Sequence, residues 1–188
     1  MASQEPISVL FVCLGNICRS PMAEAIFRHR IASLPANTPL SFSTIDSAGT
    51  GAYHVSSPPD HRTMSTLRAH NITDYTHSAR KIRGTDFINF DYILAMDSMN
   101  LEDLLEARTR ALKGLGKGKG GADGDEKIAE VRLIGDYLPD GGVVKEIGGG
   151  EEVGDPYYGG KEGFEGVYRQ VGGFVGGFLK YLEKERGT

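Results

Sequence analysis

At 188 residues the chain has the length of one domain, and with 39% hydrophobic and 24% charged residues it can bury a core without disulfides or metals. A formal net charge of -4 predicts no attraction to nucleic acid or to anionic membranes, and no apolar run approaches the length of a membrane span. The only two cysteines, Cys13 and Cys18, are too close together for a disulfide framework. The start "MASQEPIS" lacks a basic, apolar leader, so the expected compartment is the cytoplasm.

"ISVLFVC" (7–13) is a short, β-branched apolar run and predicts a buried strand. "SPMAEAIFRHRIASL" (20–34) follows as a helix, with Ala23, Ile26, Phe27 and Ile31 at helical spacing and Pro21 suited to its first turn. "SFSTIDSAG" (41–49) predicts a second strand. "SPPDHRTMSTLRAHN" (57–71) predicts a second helix, opened by the proline pair and closed by Asn71. "DYILAM" (91–96) is a third strand, "SMNLEDLLEARTRAL" (98–112) a third helix and "VRLIG" (131–135) a fourth strand. The last segment, 162–185, lines up Phe164, Val167, Tyr168, Val171, Phe174, Val175, Phe178 and Leu182 as one face of an amphipathic helix. Its Gly172/Gly176 and Gly173/Gly177 pairs point to tight docking on a sheet, because charges flank too short a run for a membrane motif.

Strands alternating with helices imply a parallel sheet joined by right-handed crossovers. Only four of the 26 glycines precede residue 100, and eleven of the other 22 fall in two stretches read as flexible surface loops. These are 113–127 and 140–152, insertions within a single domain spanning 1–188. The Lys–Gly run of the first lacks interleaved aromatics, which argues against an RNA contact.

The chemistry concentrates in "VCLGNICRSP" (12–21), which joins the first strand to the first helix. Open α/β sheets bind ligands at the carboxyl ends of their strands. The start of a helix exposes unpaired N–H groups and partial positive charge, so the backbone alone predicts an anion site. Gly15 relieves crowding, and Asn16 tolerates unusual dihedrals or ties the loop through its side chain. Arg19 supplies a planar fork of donors that matches two phosphate oxygens. Cys13 lies at the base of this cradle, where the helix start and the cation favour the thiolate. Ser20 can donate to that sulfur or cap the helix. Read blandly, Cys13 is buried packing and Asp155 a loop acid. The scattered histidines give no partner for a Cys-based zinc site, and no Walker pattern is present, so no metal or cofactor is expected.

"VCLGNICRSP" resembles the signature of the low-molecular-weight protein tyrosine phosphatases. "DPYYGG" (155–160) is similar to that family's general-acid loop, and "STIDSAG", "SPPDHR", "THSAR" and "FDYILAMD" resemble family segments in the family order. The resemblance implies a doubly wound three-layer α/β sandwich, with a four-stranded parallel sheet and helices on both faces. It implies Cys13 as nucleophile, Arg19 as phosphate clamp and Asp155 as general acid. Leu14, Gly15, Asn16, Ile17, Cys18, Arg19 and Ser20 would form the phosphate-binding loop, with Leu14 and Ile17 as apolar walls. Ser47 and His77 would join Asn16 and Ser20 in a supporting network. Tyr53, Tyr157 and Tyr158 would line the slot for a substrate ring. Cys18 would be the redox partner of Cys13, trapping its sulfenic acid as a reversible disulfide.

The implied partners are phosphotyrosine proteins and small aryl phosphates, met by a monomer or weak dimer. Asp97 and Asp136 follow strands on the same sheet edge and are rival acids without the Asp-Pro-Tyr-Tyr context. The alternatives are an arsenate reductase-like enzyme, which would need more cysteines for its thiol relay, and a non-catalytic phosphate-binding module. A family threonine that favours phosphoarginine is replaced here by Ile17.

Overall fold

A computed structural model describes residues 5–114 and 127–187. The elements run β1 (Ile7–Cys13), α1 (Arg19–Ile31), β2 (Phe42–Gly49), α2 (His61–Ala69), α3 (Asp86–Asn89), β3 (Tyr92–Ala95), α4 (Ser98–Gly114), β4 (Glu130–Leu133), a 3-10 turn (Ile134–Asp136) and α5 (Lys161–Gly187). The four strands form one parallel sheet in the order β2-β1-β3-β4. The anticipated doubly wound sandwich is thus present.

The central strand explains the architecture. Side chains alternate between the faces of a strand, and every residue of β1 is buried. Ile7, Val9, Phe11 and Cys13 join a core with α1 and α5, while Leu10 and Val12 join Phe87, Leu101 and Leu104 on the other side. A strand covered on both faces needs a continuous apolar run, not an alternating one. Phe27 of α1 is fully buried against Phe11, Phe42 and Phe178. Burial of one such ring stabilises the fold by roughly 1.5–3 kcal/mol. Parallel register aligns the strand ends, with Cys13 beside Gly49 and Val12 beside Ala95. The loops leaving β1, β2 and β3 therefore share one edge of the sheet.

Several boundaries differ from the sequence expectation. The Pro58–Pro59 pair precedes α2 rather than opening it. Asp60 is the N-cap, and its carboxylate accepts from the Arg62 backbone N–H. Asn71 follows the helix with φ of 63°, as a stop residue should. The α5 glycines do not act as two equivalent pairs. Gly177 lies where a Cβ would stand 2.6 Å from the Leu138 carbonyl oxygen, and Gly172 and Gly176 face the Arg30 side chain, whereas Gly173 has open space.

The 113–127 insertion lies, except for its ends, outside the described residues. The 140–152 segment is described, and it is not a free loop. Val144 N–H donates to the Asp136 carbonyl, Gly148 and Gly150 N–H donate to the Asp136 carboxylate, and Gln170 grips Glu151 and Glu152. Its glycines serve close backbone approach. A Cβ on Gly150 would stand 2.2 Å from the Gly135 carbonyl oxygen.

Candidate active site

The loop leaving β1 turns sharply at Asn16, whose φ of 56° lies in the left-handed region that asparagine tolerates better than most residues. Its side chain holds the turn. Asn16 Nδ2 donates to Ser20 Oγ at 3.0 Å and to Ser47 Oγ at 2.9 Å. The Arg80 backbone N–H donates to Asn16 Oδ1 at 2.9 Å, which fixes the orientation of the amide. His77 Nε2 contacts the same oxygen at 2.8 Å, so it carries the proton there. Burial draws the imidazole pKa of His77 down, against the pull of Glu24 and Asp46. His77 is thus a member of the network and not an exposed side chain.

Cys13 Sγ sits in this turn with donors around it. The Asn16 backbone N–H points to it at 3.3 Å, and Ser20 Oγ lies at 3.1 Å. The Ser20 side chain makes no helix cap, and the first residue before α1 is Cys18, which also caps nothing by side chain. Of the two roles open to Ser20, contact with the sulfur is the one formed. Burial, reinforced by Asp60, pushes the Cys18 thiol up to about 12, which keeps it protonated.

Arg19 is buried and crosses the floor of the site. Nη1 donates to Asp97 Oδ2 at 2.5 Å and to the Val153 carbonyl at 3.1 Å, and Nη2 donates to Asp155 Oδ2 at 3.0 Å. Burial opposes its charge, but Cys13, Asp97 and Asp155 outweigh that and raise its pKa. Asp97, one of the two rival acids, is therefore the partner that orients Arg19. Asp136, the other, is fully buried and engaged with backbone N–H groups.

Asp155 is placed by its own loop. Its Oδ1 accepts from Tyr157 N–H at 3.0 Å, and Pro156 keeps the preceding backbone extended. Cys13, Leu14, Gly15, Ile17, Cys18, Arg19, Tyr53, Asp155, Tyr157 and Tyr158 line one cleft of about 150 Å³, joined by His54. Tyr53 is 76% and Tyr158 96% exposed, so these rings form the rim and not the core. Asn16, Ser20, Ser47 and His77 lie behind the loop.

A family model described as low molecular weight phosphotyrosine protein phosphatase matches residues 8–188. The chain belongs to this family. A relative of that name from Schizosaccharomyces pombe is 45% identical over 176 residues, covering 94% of this chain and 97% of the relative. The solved protein tyrosine phosphatase of Entamoeba histolytica is 31% identical and covers 95% of this chain and 98% of its own, with a TM-score of 0.68. A solved arginine phosphatase of Drosophila is also 31% identical, covers 94% and 98%, and has a TM-score of 0.71.

Within this low molecular weight phosphatase, sequence reasoning missed the residues that support others. Glu24 is a buried acid on α1 whose Oε2 accepts from Ser47 Oγ and Tyr75 Oη, each at 2.8 Å. An acid inside an otherwise apolar stretch of helix was the available signal. Among the described residues Glu24, Asp46 and His77 bring ligand atoms within 4.8 Å of one another. Tyr75, Ser47 and Arg80 already donate to the carboxylates, so the group reads as a brace for Asn16 and not as an ion site. Arg62 was likewise missed. It pairs with Asp60, donates to the Tyr157 and Gly159 carbonyls, and lies 4.5 Å from the Phe164 ring centroid, tying α2 to the loop that carries Asp155.

Proposed function

We propose that the protein hydrolyses phosphotyrosine and small aryl phosphates through a phosphocysteine intermediate. The observation that carries this reading is the gathering of Cys13, Arg19 and Asp155 in one cleft rimmed by three tyrosines. The Cys13 sulfur attacks phosphorus in line, forming the S–P bond as the bond to the aryl oxygen breaks. Arg19 and the N–H groups of the loop meet the charge on the phosphoryl oxygens with dipoles already in place. Those oxygens compete with Asp155 for Arg19 Nη2, which releases the carboxyl toward the leaving oxygen. A phenol of pKa about 10 leaves poorly as a bare anion, so Asp155 gives it a proton. Asp155 then takes a proton from the water that attacks phosphocysteine, releasing phosphate and restoring the thiolate.

The tyrosine rim supports an aromatic substrate, since its rings can pair edge-to-face or offset with a phenyl group. The similarity to an arginine phosphatase is the one observation for the second reading, with Ile17 against it. Side-by-side assay decides. Phosphotyrosine is expected to be hydrolysed well above phosphoarginine at equal concentration, and the reverse order would replace the first reading with the second. A chain with only two cysteines does not supply the relay of an arsenate reductase.

Redox control and a cytoplasmic setting complete the proposal. Both cysteines are free, and Cys18 lies in the same loop as Cys13. Peroxide converts the Cys13 thiolate to sulfenic acid, and the Cys18 thiol condenses with it to give a disulfide and water. Cys18→Ser is expected to recover far less activity than the parent after peroxide followed by a reducing thiol. Full recovery would remove Cys18 from this role.

A further inference from the structure

The acid loop has a foundation outside the cleft. Asp136 follows β4, is 0% exposed, and lies at none of the positions assigned to chemistry. Its Oδ2 accepts from Gly148 N–H and its Oδ1 from Gly150 N–H, both at 2.9 Å. Its own carbonyl accepts from Val144 N–H, also at 2.9 Å. Arg132 Nη1 stands 3.5 Å from the same carboxylate and donates to the Val144 carbonyl at 3.2 Å. One side chain thus collects the segment that sequence composition marks as most flexible.

From that grip the chain runs to the active site without slack. Gly135 and Gly150 touch backbone to backbone, and a Cβ on Gly135 would stand 2.0 Å from the Glu151 carbonyl oxygen. Three residues on from Gly150, Val153 N–H donates to the Met96 carbonyl at 2.7 Å. The Val153 carbonyl accepts from Arg19, and Asp155 follows two residues later. Gly150 is thus joined through Val153 to both the acid and the arginine that holds it.

We propose that Asp136 is a positioning residue for the general acid, acting through the amides of Gly148 and Gly150 to set where Asp155 stands. This rests on Asp155 being the acid. An acid displaced by about 1 Å loses much of its effect on a poor leaving group and almost none on one that needs no proton. The leaving-group dependence of kcat/KM therefore separates positioning from general loosening, because kcat/KM reports the step in which the phenol departs. Asp136→Asn keeps the shape but turns one acceptor into a donor facing a backbone N–H. Gly148→Ala weakens the same grip from its other end, since Gly148 has φ of 82° and a Cβ would meet Leu101 at 2.8 Å.

Full-length parent, Asp136→Asn, Gly148→Ala and Asp155→Ala are assayed with phenyl phosphate and with 2,4-dinitrophenyl phosphate, alongside inhibition by inorganic phosphate and thermal melting. In Asp136→Asn the kcat/KM for phenyl phosphate is expected to fall on the order of tenfold or more, with that for the dinitrophenyl ester and the inhibition by phosphate nearly unchanged. Gly148→Ala is expected to shift in the same direction, and it decides the matter should Asp136→Asn fail to fold. Equal losses on both esters, or no loss on either, would overturn the proposal. If Asp155→Ala itself shows no leaving-group dependence, the reading of Asp155 as the acid has failed, whereas a dependence there but not in the other two variants overturns only the role of Asp136.

Discussion

Cys13→Ser is expected to lower turnover of 4-nitrophenyl phosphate by at least about four orders of magnitude while leaving the binding of inorganic phosphate largely intact. The neighbours of the sulfur are the reason. The Asn16 backbone N–H and Ser20 Oγ surround Cys13 Sγ, and both can donate to an anion. No base stands among these partners to deprotonate a serine hydroxyl, whose own acidity is far too weak to supply an alkoxide. The cradle itself does not depend on the sulfur, because Asn16, Ser47 and Arg80 hold the turn from behind. Kinetics with the chromogenic ester and calorimetric titration with phosphate check the two halves. Turnover within tenfold of the parent would exclude Cys13 as the nucleophile.

Asp155→Ala is expected to lower kcat/KM for phenyl phosphate about a hundredfold and for 2,4-dinitrophenyl phosphate far less. The carboxyl sits at the cleft mouth with Oδ1 on Tyr157 N–H and Oδ2 on Arg19, so its loss removes a proton donor and also one anion from beside the clamp. Arg19 keeps Asp97 and the Val153 carbonyl as its supports. Phosphate inhibition should therefore be unchanged or stronger in this variant. Equal loss on the two esters, or weaker phosphate binding, would contradict the role given to Asp155.

The parts of the molecule legible in the sequence are those where one residue's chemistry is local. The run Ile7–Cys13 signals a doubly covered strand, and the turn through Gly15 and Asn16 into Arg19 and Ser20 signals an anion cradle at the start of a helix. The Asp-Pro-Tyr-Tyr context set Asp155 apart from Asp97 and Asp136 through family resemblance, not through its composition. Roles that depend on distant partners were hidden. Nothing near Asp97 in sequence announces Arg19, 78 residues away, and nothing near Glu24 announces Tyr75, 51 residues away.

Two misreadings have clear physical causes. Prolines 58 and 59 suggested a helix start, but the side-chain acceptor that satisfies the first N–H groups belongs to Asp60. The glycines of 140–152 suggested flexibility, since glycine frees the backbone in isolation. Here they allow backbones to touch, as Gly135 and Gly150 do, and leave N–H groups free to reach Asp136. Composition alone does not distinguish these uses. The short α3, Asp86–Asn89, has too few residues to show a helical period.

A covalent phosphate on the Cys13 sulfur is the step on which everything else depends. Rapid denaturing quench at mildly alkaline pH during steady turnover of an aryl phosphate, followed by peptide mass mapping, measures it directly. Phosphate is expected on the peptide carrying Cys13, formed as the phenol is released and missing from Cys13→Ser. Phosphate on Ser20 or His77 instead, or continued turnover with no phosphorylated peptide at any quench time, would contradict it.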